Sequence, residues 1–288
     1  MGGPEAGDPR ATGRRCGVLG DPIAHSLSPT LHRAGYAALG LDWEYDAHRV
    51  GPGGLRDFLD GLGAEWRGLS LTMPLKREAV GVVDDLTERA RLAGAANTVL
   101  LEGDRRVGDN TDVPGAIAAI RERTGAHLTS AAILGGGATA TSVGLALADL
   151  GVRSLALVVR EPARAAETRE ALNGHPGRPD VVVGILDDPA PLEVDLVAST
   201  IPAEAQDHRL VARCRAAEVV FEVLYHPWPT PLAASAGDRV LVGGLDLLLH
   251  QAAVQFELFT GHRAPLAAMR AAGEQALAAR SAAGDPRP

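Results

Sequence analysis

The stretch Ala131-Ala132-Ile133-Leu134-Gly135-Gly136-Gly137-Ala138-Thr139-Ala140, continued to Ala148, carries no charge. Its length invites reading as a membrane span, but glycines and hydroxyl residues interrupt its middle. It reads better as a short apolar strand, a glycine turn and the start of a helix. The turn matches G-x-G-x-x-G/A in the required strand–turn–helix context. Glycines allow the tight turn and let the backbone approach a pyrophosphate, which sits on the positive end of the helix. Gly135, Gly136, Gly137, Ala138, Thr139 and Ala140 are therefore expected to bind a dinucleotide. Downstream, apolar runs at 155–159, 181–185, 195–199 and 218–223 read as strands, with a helix over 162–172. Upstream, strands are expected at 15–20, 43–50 and 68–71, and a hairpin over 98–102 and 105–108 around Gly103-Asp104. Helices are expected from Ser28 to Gly40 and over 55–62, 88–93 and 113–123. Two more, 245–259 and 265–279, close the chain. Strands alternating with helices predict an α/β fold with a parallel sheet covered on both faces. The boundaries fall near Asp112 and Gly243. The glycine turn puts a Rossmann-type dinucleotide-binding segment between these boundaries. Residues 1–12 read as a floppy tail.

Composition narrows the function. Hydrophobic residues make up 46% and charged residues 22%, which excludes general disorder. The net charge of −8 argues against a nucleic-acid or anionic-membrane partner. Of 28 basic residues, one is a lysine, Lys76. Arginine replaces lysine as a surface charge but not as a proton-transfer group, because a guanidinium does not deprotonate. The retained lysine is thus a catalytic candidate on chemical grounds. Two cysteines without a CxxC, Cys16 and Cys214, read as free thiols in a reducing compartment. The N-terminus has no apolar segment of the signal-peptide kind, so a cytoplasmic location is expected. The nine histidines are scattered, so no metal site is expected.

Three further motifs carry chemistry. The strand at 155–159 ends in Val159-Arg160, with Arg164 a helical turn on. Two guanidiniums can clamp a 2′-phosphate, which favours NADP, while Glu161 between them leaves NAD possible. In the loop Gly20 to Pro29, Ser26 and Ser28 lie at i, i+2 beside a helix start and suit a carboxylate. Ser28 is read as the N-cap and Pro29 as the first helical residue. The segments Ser70 to Lys76, Asn97-Thr98 and Gly108 to Asp112 offer a lysine, two asparagines and an aspartate for hydroxyl binding and proton transfer.

These motifs, in this order and spacing over residues 15–275, resemble the shikimate dehydrogenase family. The resemblance rests on His25 to Pro29, Thr72-x-Pro74-x-Lys76, Asn97-Thr98, Asn110-Thr111-Asp112, the glycine turn and Leu248 to Gln251. It implies NADPH-dependent reduction of 3-dehydroshikimate to shikimate in aromatic amino-acid biosynthesis, with a small-molecule substrate and a monomer or homodimer. It further implies that Ser26 and Ser28 hold the substrate carboxylate and that Thr72, Asn97 and Gln251 bind carboxylate or hydroxyls. Lys76 and Asp112 would form the catalytic pair. Arg77 would push the lysine towards neutrality and Asp112 would oppose it. Thr200 would border the cofactor, Tyr225 would lie near the substrate, and Gly244 would be a further cofactor contact. The fold implied is α/β with two domains, an α/β/α substrate domain at 13–112 and 244–288 and a Rossmann-type NADP-binding domain at 113–243. Asp246, Val159 and Glu161 depart from the family pattern near the cofactor. A quinate/shikimate or aminoshikimate dehydrogenase using NAD or both cofactors is the rival within the class. A non-catalytic NADP-binding regulator is the rival outside it and predicts loss of Lys76 or Asp112, both of which are present. A hydrolase built on His25 and Ser26 lacks the G-x-S-x-G elbow.

Overall fold

A computed structural model describes residues 13–282 of the chain. The tail expected at 1–12 lies outside the described residues. Two six-stranded sheets form. The first contains β1 (Arg14–Gly20), β2 (Trp43–Arg49), β3 (Trp66–Leu71), β4 (Asp85–Leu86), β5 (Thr98–Glu102) and β6 (Arg105–Asp109), in the order β2-β1-β3-β5-β6-β4. The second contains β7 (Ser130–Leu134), β8 (Ser154–Val159), β9 (Asp180–Ile185), β10 (Leu196–Ser199), β11 (Val219–Glu222) and β12 (Val240–Val242), in the order β12-β11-β10-β7-β8-β9. Helices α1 (Ser28–Leu39), α2 (Leu55–Asp60), α3 (Leu75–Glu78) and α4 (Glu88–Ala93) accompany the first sheet. Helix α5 (Asp112–Arg123) leads to the second. There α6 (Ala138–Asp149), α7 (Ala166–Gly174), α8 (His208–Arg213) and α9 (Pro231–Ala234) alternate with strands. Helices α10 (Gly244–Thr260) and α11 (Leu266–Ala282) follow.

The second sheet is parallel throughout. Its central strands β10 and β11 are buried at every residue, as strands covered on both faces must be. The first sheet is mixed, where simple alternation predicts a parallel one. The expected hairpin is the reason: β5 and β6 turn about Gly103, and β5 then pairs antiparallel with β3.

The last two helices return to the first sheet. α11 packs on α1, and α10 packs on β3, β5 and α5. Phe256 and Phe259 of α10 join Tyr36 and Tyr45 in a fully buried aromatic cluster. Each such side chain contributes about 1.5–3 kcal/mol on burial. Helices α5 and α10 cross at Gly115, where a Cβ would lie 2.7 Å from the backbone nitrogen of Gln251. This crossing brings Gln251 beside the start of α5, where Asp112 sits. No helix among the described residues is long and apolar enough to cross a membrane. Burial pushes the Cys16 thiol up to about 12 and the Cys214 thiol up to about 11, so both are inert, protonated thiols.

Candidate active site

A cavity of about 420 Å³ opens where the carboxyl ends of the two sheets face each other. Parallel α/β sheets place ligands at such ends because loops and helix N-termini converge there. Lys76, in the short helix α3, donates from Nζ to Asp112 Oδ2 at 2.6 Å. The side chains are 15% and 7% exposed, so the pair is largely shielded from water. Asp112 opens α5, where the helix dipole favours a carboxylate. Its other oxygen, Oδ1, accepts from Asn97 Nδ2 at 2.9 Å. Among the described residues Asp112 is the one hydrogen-bond acceptor for the Lys76 ammonium. Two of its three N–H groups therefore remain for a ligand.

Asn97 is the hub of the polar floor. Its amide also donates to Thr111 Oγ1 at 2.9 Å and to Gln251 Oε1 at 3.2 Å, while its carbonyl accepts from the Thr111 backbone N–H at 2.7 Å. Beneath it, Gln255 Nε2 donates to Asn97 O and Thr98 Oγ1, and Ser70 Oγ donates to Gln255 Oε1. The loop carrying Thr72 is pinned to the end of β1, because Thr72 N–H donates to Leu19 O and Asp21 N–H to Met73 O. Ser26, Ser28, Tyr225 and Gly244 complete the lining, with Thr139 facing them from the start of α6. Burial holds the Tyr225 hydroxyl above the ordinary tyrosine range, so it stays protonated.

All eight substrate-side residues expected from sequence thus line one cavity, joined by Thr139 and Gly244 from the cofactor side. Some local readings change. Ser28 is not the N-cap of α1. Leu27 holds that position without a side-chain bond, and the Ser28 amide donates to Ser26 Oγ at 3.3 Å. Asn110 is not in the cavity. It is fully buried and donates to Ala95 O and Ser142 Oγ, tying the Asp112 loop to α6. Arg77 turns away from Lys76 and pairs with Glu167 of α7, which neutralises its charge. Asp246, which departs from the family pattern, sits at the start of α10. It accepts from the Gly243 amide and pairs with Arg123 and Arg270. Burial pushes its carboxyl up, but those donors outweigh burial and hold it below the usual range. The sequence reading missed the roles of Ser70 and Gln255. Gln255 lies one helical turn beyond Gln251, and that spacing was the available signal.

The glycine turn fits a dinucleotide. Gly135 has φ +117°, and a Cβ there would lie 2.3 Å from Thr200 Oγ1. Thr200 is occupied behind the turn, donating to Leu134 O at 2.8 Å. Gly137 precedes α6 with no side-chain cap, and a Cβ on it would point into open space. The first amides of α6, at Ala138, Thr139 and Ala140, are left for an anionic ligand. Arg160 and Arg164 are exposed beyond β8, with Glu161 exposed between them. Arg160 borders a second cavity, of about 1200 Å³, shared with Asp187, Asp188 and Glu204.

Comparison with known proteins converges on one family. Residues 18–99 match the shikimate dehydrogenase substrate binding domain, and residues 244–272 match the shikimate 5′-dehydrogenase C-terminal domain. The NADP(+) shikimate dehydrogenase of Desulfitobacterium hafniense is 35% identical over 267 residues, covering 91% of this chain and 97% of the relative. The crystal structure of Mycobacterium tuberculosis shikimate dehydrogenase is 38% identical with a TM-score of 0.83, covering 92% of this chain and 99% of that one. A quinate dehydrogenase from Corynebacterium glutamicum, in complex with NAD, has a TM-score of 0.82 at 27% identity, covering 92% of this chain and 100% of that one.

Proposed function

The chain belongs to the shikimate dehydrogenase family, and from that membership we propose how its residues carry out the NADP-dependent interconversion of 3-dehydroshikimate and shikimate. This assignment rests on the 2.6 Å contact between Lys76 Nζ and Asp112 Oδ2 in a cavity also lined by Ser26, Ser28, Asn97 and Gln251. Ser26 and Ser28 receive the substrate carboxylate. Thr72, Asn97 and Gln251 hold ring hydroxyls, and Tyr225 closes the carboxylate end. NADPH, when held at the glycine turn, would supply the hydride. Lys76 donates a proton from Nζ to the carbonyl oxygen as it becomes an alkoxide, and in the reverse direction takes that proton back. Asp112 fixes the ammonium through Oδ2, with Asn97 holding its second oxygen. Positioning of this kind contributes as much to rate as proton affinity does.

On the cofactor side, the residues from Gly135 to Ala140 cradle the pyrophosphate, Thr200 shapes the turn, Gly244 borders the nicotinamide, and Arg160 and Arg164 hold the 2′-phosphate. We divide the chain accordingly into a substrate unit at 13–112 and 244–288 and a nucleotide unit at 113–243. Glu161, exposed between the two arginines, favours some use of NAD as well. The test is oxidation of shikimate and of quinate with NADP+ and NAD+ at one pH, followed by nicotinamide absorbance. The reading expects the highest kcat/KM for shikimate with NADP+. Higher efficiency for quinate with NAD+ would replace it with a quinate dehydrogenase.

A further inference from the structure

His25, one residue before Ser26, and His226, one residue after Tyr225, have no part in the chemistry above. Their rings stack with centroids 4.6 Å apart and planes 17° from parallel. They arrive from opposite sheets, His25 from the loop between β1 and α1, His226 from the loop after β11. The stack therefore bridges the cleft, and both residues line the cavity beside Ser26 and Ser28. The His25 backbone is anchored, since its carbonyl accepts from Arg280 at 3.0 Å and from the Tyr225 hydroxyl at 3.5 Å. The Nε2 of His226 is buried and has no hydrogen-bond partner among the described residues.

We propose that the His25–His226 stack is a specificity wall that favours a ring whose carboxylate-bearing carbon is planar over one whose carboxylate-bearing carbon is tetrahedral and hydroxylated. This rests on the proposed docking of the carboxylate at Ser26 and Ser28. In shikimate that carbon belongs to the ring double bond, so the carboxylate lies near the ring plane. In quinate it is saturated and carries an extra hydroxyl. The two substrates present the same hydroxyls to Lys76 and differ at the end that faces the imidazoles. The fold does not decide between them, since a quinate dehydrogenase shares it over 92% of this chain. Two rings held face to face fill space at that end and leave little room for another oxygen. A hydroxyl pressed against the ring faces, rather than against an edge nitrogen, loses water and gains no hydrogen bond there. Rejection of one small group in a shaped pocket is worth roughly 10–200-fold in kcat/KM.

The experiment measures kcat/KM for shikimate and for quinate with NADP+ in the wild type, His226→Ala and His226→Phe, with NADP+ dissociation constants alongside. The wild type is expected to prefer shikimate. His226→Ala should lower that preference by about tenfold or more, through a rise in quinate efficiency, with NADP+ affinity unchanged. His226→Phe keeps a flat ring for stacking and should keep the wild-type ratio. His25→Ala removes the other half of the wall and should match His226→Ala, which keeps the test intact should one variant fail to fold. An unchanged ratio in both alanine variants would overturn the wall, as would a phenylalanine variant that behaves like alanine or a wild type that prefers quinate. A wild type that oxidises neither compound would sink the proposed function itself, whereas an active wild type with an unmoved ratio sinks the wall alone.

Discussion

Replacing Lys76 by arginine separates charge from proton transfer. The ammonium sits 2.6 Å from Asp112 Oδ2, with only 15% of the lysine side chain exposed. A guanidinium keeps the positive charge, and its fork can pair with the same carboxylate, so the loss of stability should stay within about 1 kcal/mol. It cannot surrender a proton at any working pH. A positioned proton-transfer group contributes about 10²–10⁴ in rate, or roughly 2.7–5.5 kcal/mol of barrier. Lys76→Arg should therefore lower kcat for shikimate oxidation at least about 100-fold. The NADP+ dissociation constant should hold, the melting temperature should fall by no more than about 2–4 °C, and raising the pH should recover nothing. Lys76→Ala should lose as much turnover and also some stability, because Asp112 would keep only Asn97 as a side-chain partner. Steady-state kinetics across pH, fluorescence titration of the cofactor and thermal unfolding together check these outcomes. If Lys76→Arg kept more than about a tenth of wild-type turnover, the proton-transfer role would be refuted.

Arg160→Ala should raise KM for NADP+ by about 10–100-fold, the worth of a charge-assisted phosphate contact, and leave KM for NAD+ nearly unchanged; equal effects on both would remove Arg160 from the phosphate site. Gly115→Ala places a Cβ 2.7 Å from the Gln251 nitrogen, so α5 and α10 must separate. Unfolding experiments should show about 1–3 kcal/mol of lost stability, together with a higher KM for shikimate. His32 is fully buried and stacked on Tyr45, and burial pushes its pKa down to about 3 against a weaker opposing pull from Gln255. Its folded-state pKa lies below the unfolded value near 6.5, so the unfolded chain takes the proton first as pH falls. Stability should be full above about pH 6.5 and should decline by up to about 1.4 kcal/mol per pH unit down to about 3. Denaturant titrations of His32→Phe over that range should show one proton fewer in the slope, and an unchanged slope would mean that His32 is not the group responsible.

The glycine turn and the lone lysine were legible because each depends on local chemistry. A turn that needs φ +117° at Gly135 announces itself in sequence, as does one lysine among arginines. Side-chain direction was less legible. Asn97 and Asn110 occur in neighbouring motifs and looked equivalent, yet one is the hub of the cavity floor and the other is tied to Ala95 and Ser142. Asn97 stands just before β5 and Asn110 just after β6, so which way each points depends on the pairing of those strands, and a motif does not state that pairing. Asp246 looked like damage to a cofactor contact. In three dimensions it satisfies the start of α10 and two arginines from other helices. Ser28 gave up the N-cap position to Leu27 because α1 begins one residue earlier than Pro29 suggested. The His25–His226 stack had no sequence signal at all, since the two rings come from distant parts of the chain and meet only when both sheets are in place.

The return of α10 to the first sheet imposes an order on biosynthesis. A nascent chain leaves the ribosome with β1 to β6 first, but the aromatic cluster around Tyr36 and Tyr45 stays incomplete until Phe256 and Phe259 arrive. The second sheet has all its strands by Val242 and can close while the first still waits. Translation must pass residue 260 before Gln251 and Gln255 reach Asn97 and Ser70. An arrested or truncated product would therefore expose an aromatic surface to chaperones and proteases while already carrying a finished dinucleotide fold.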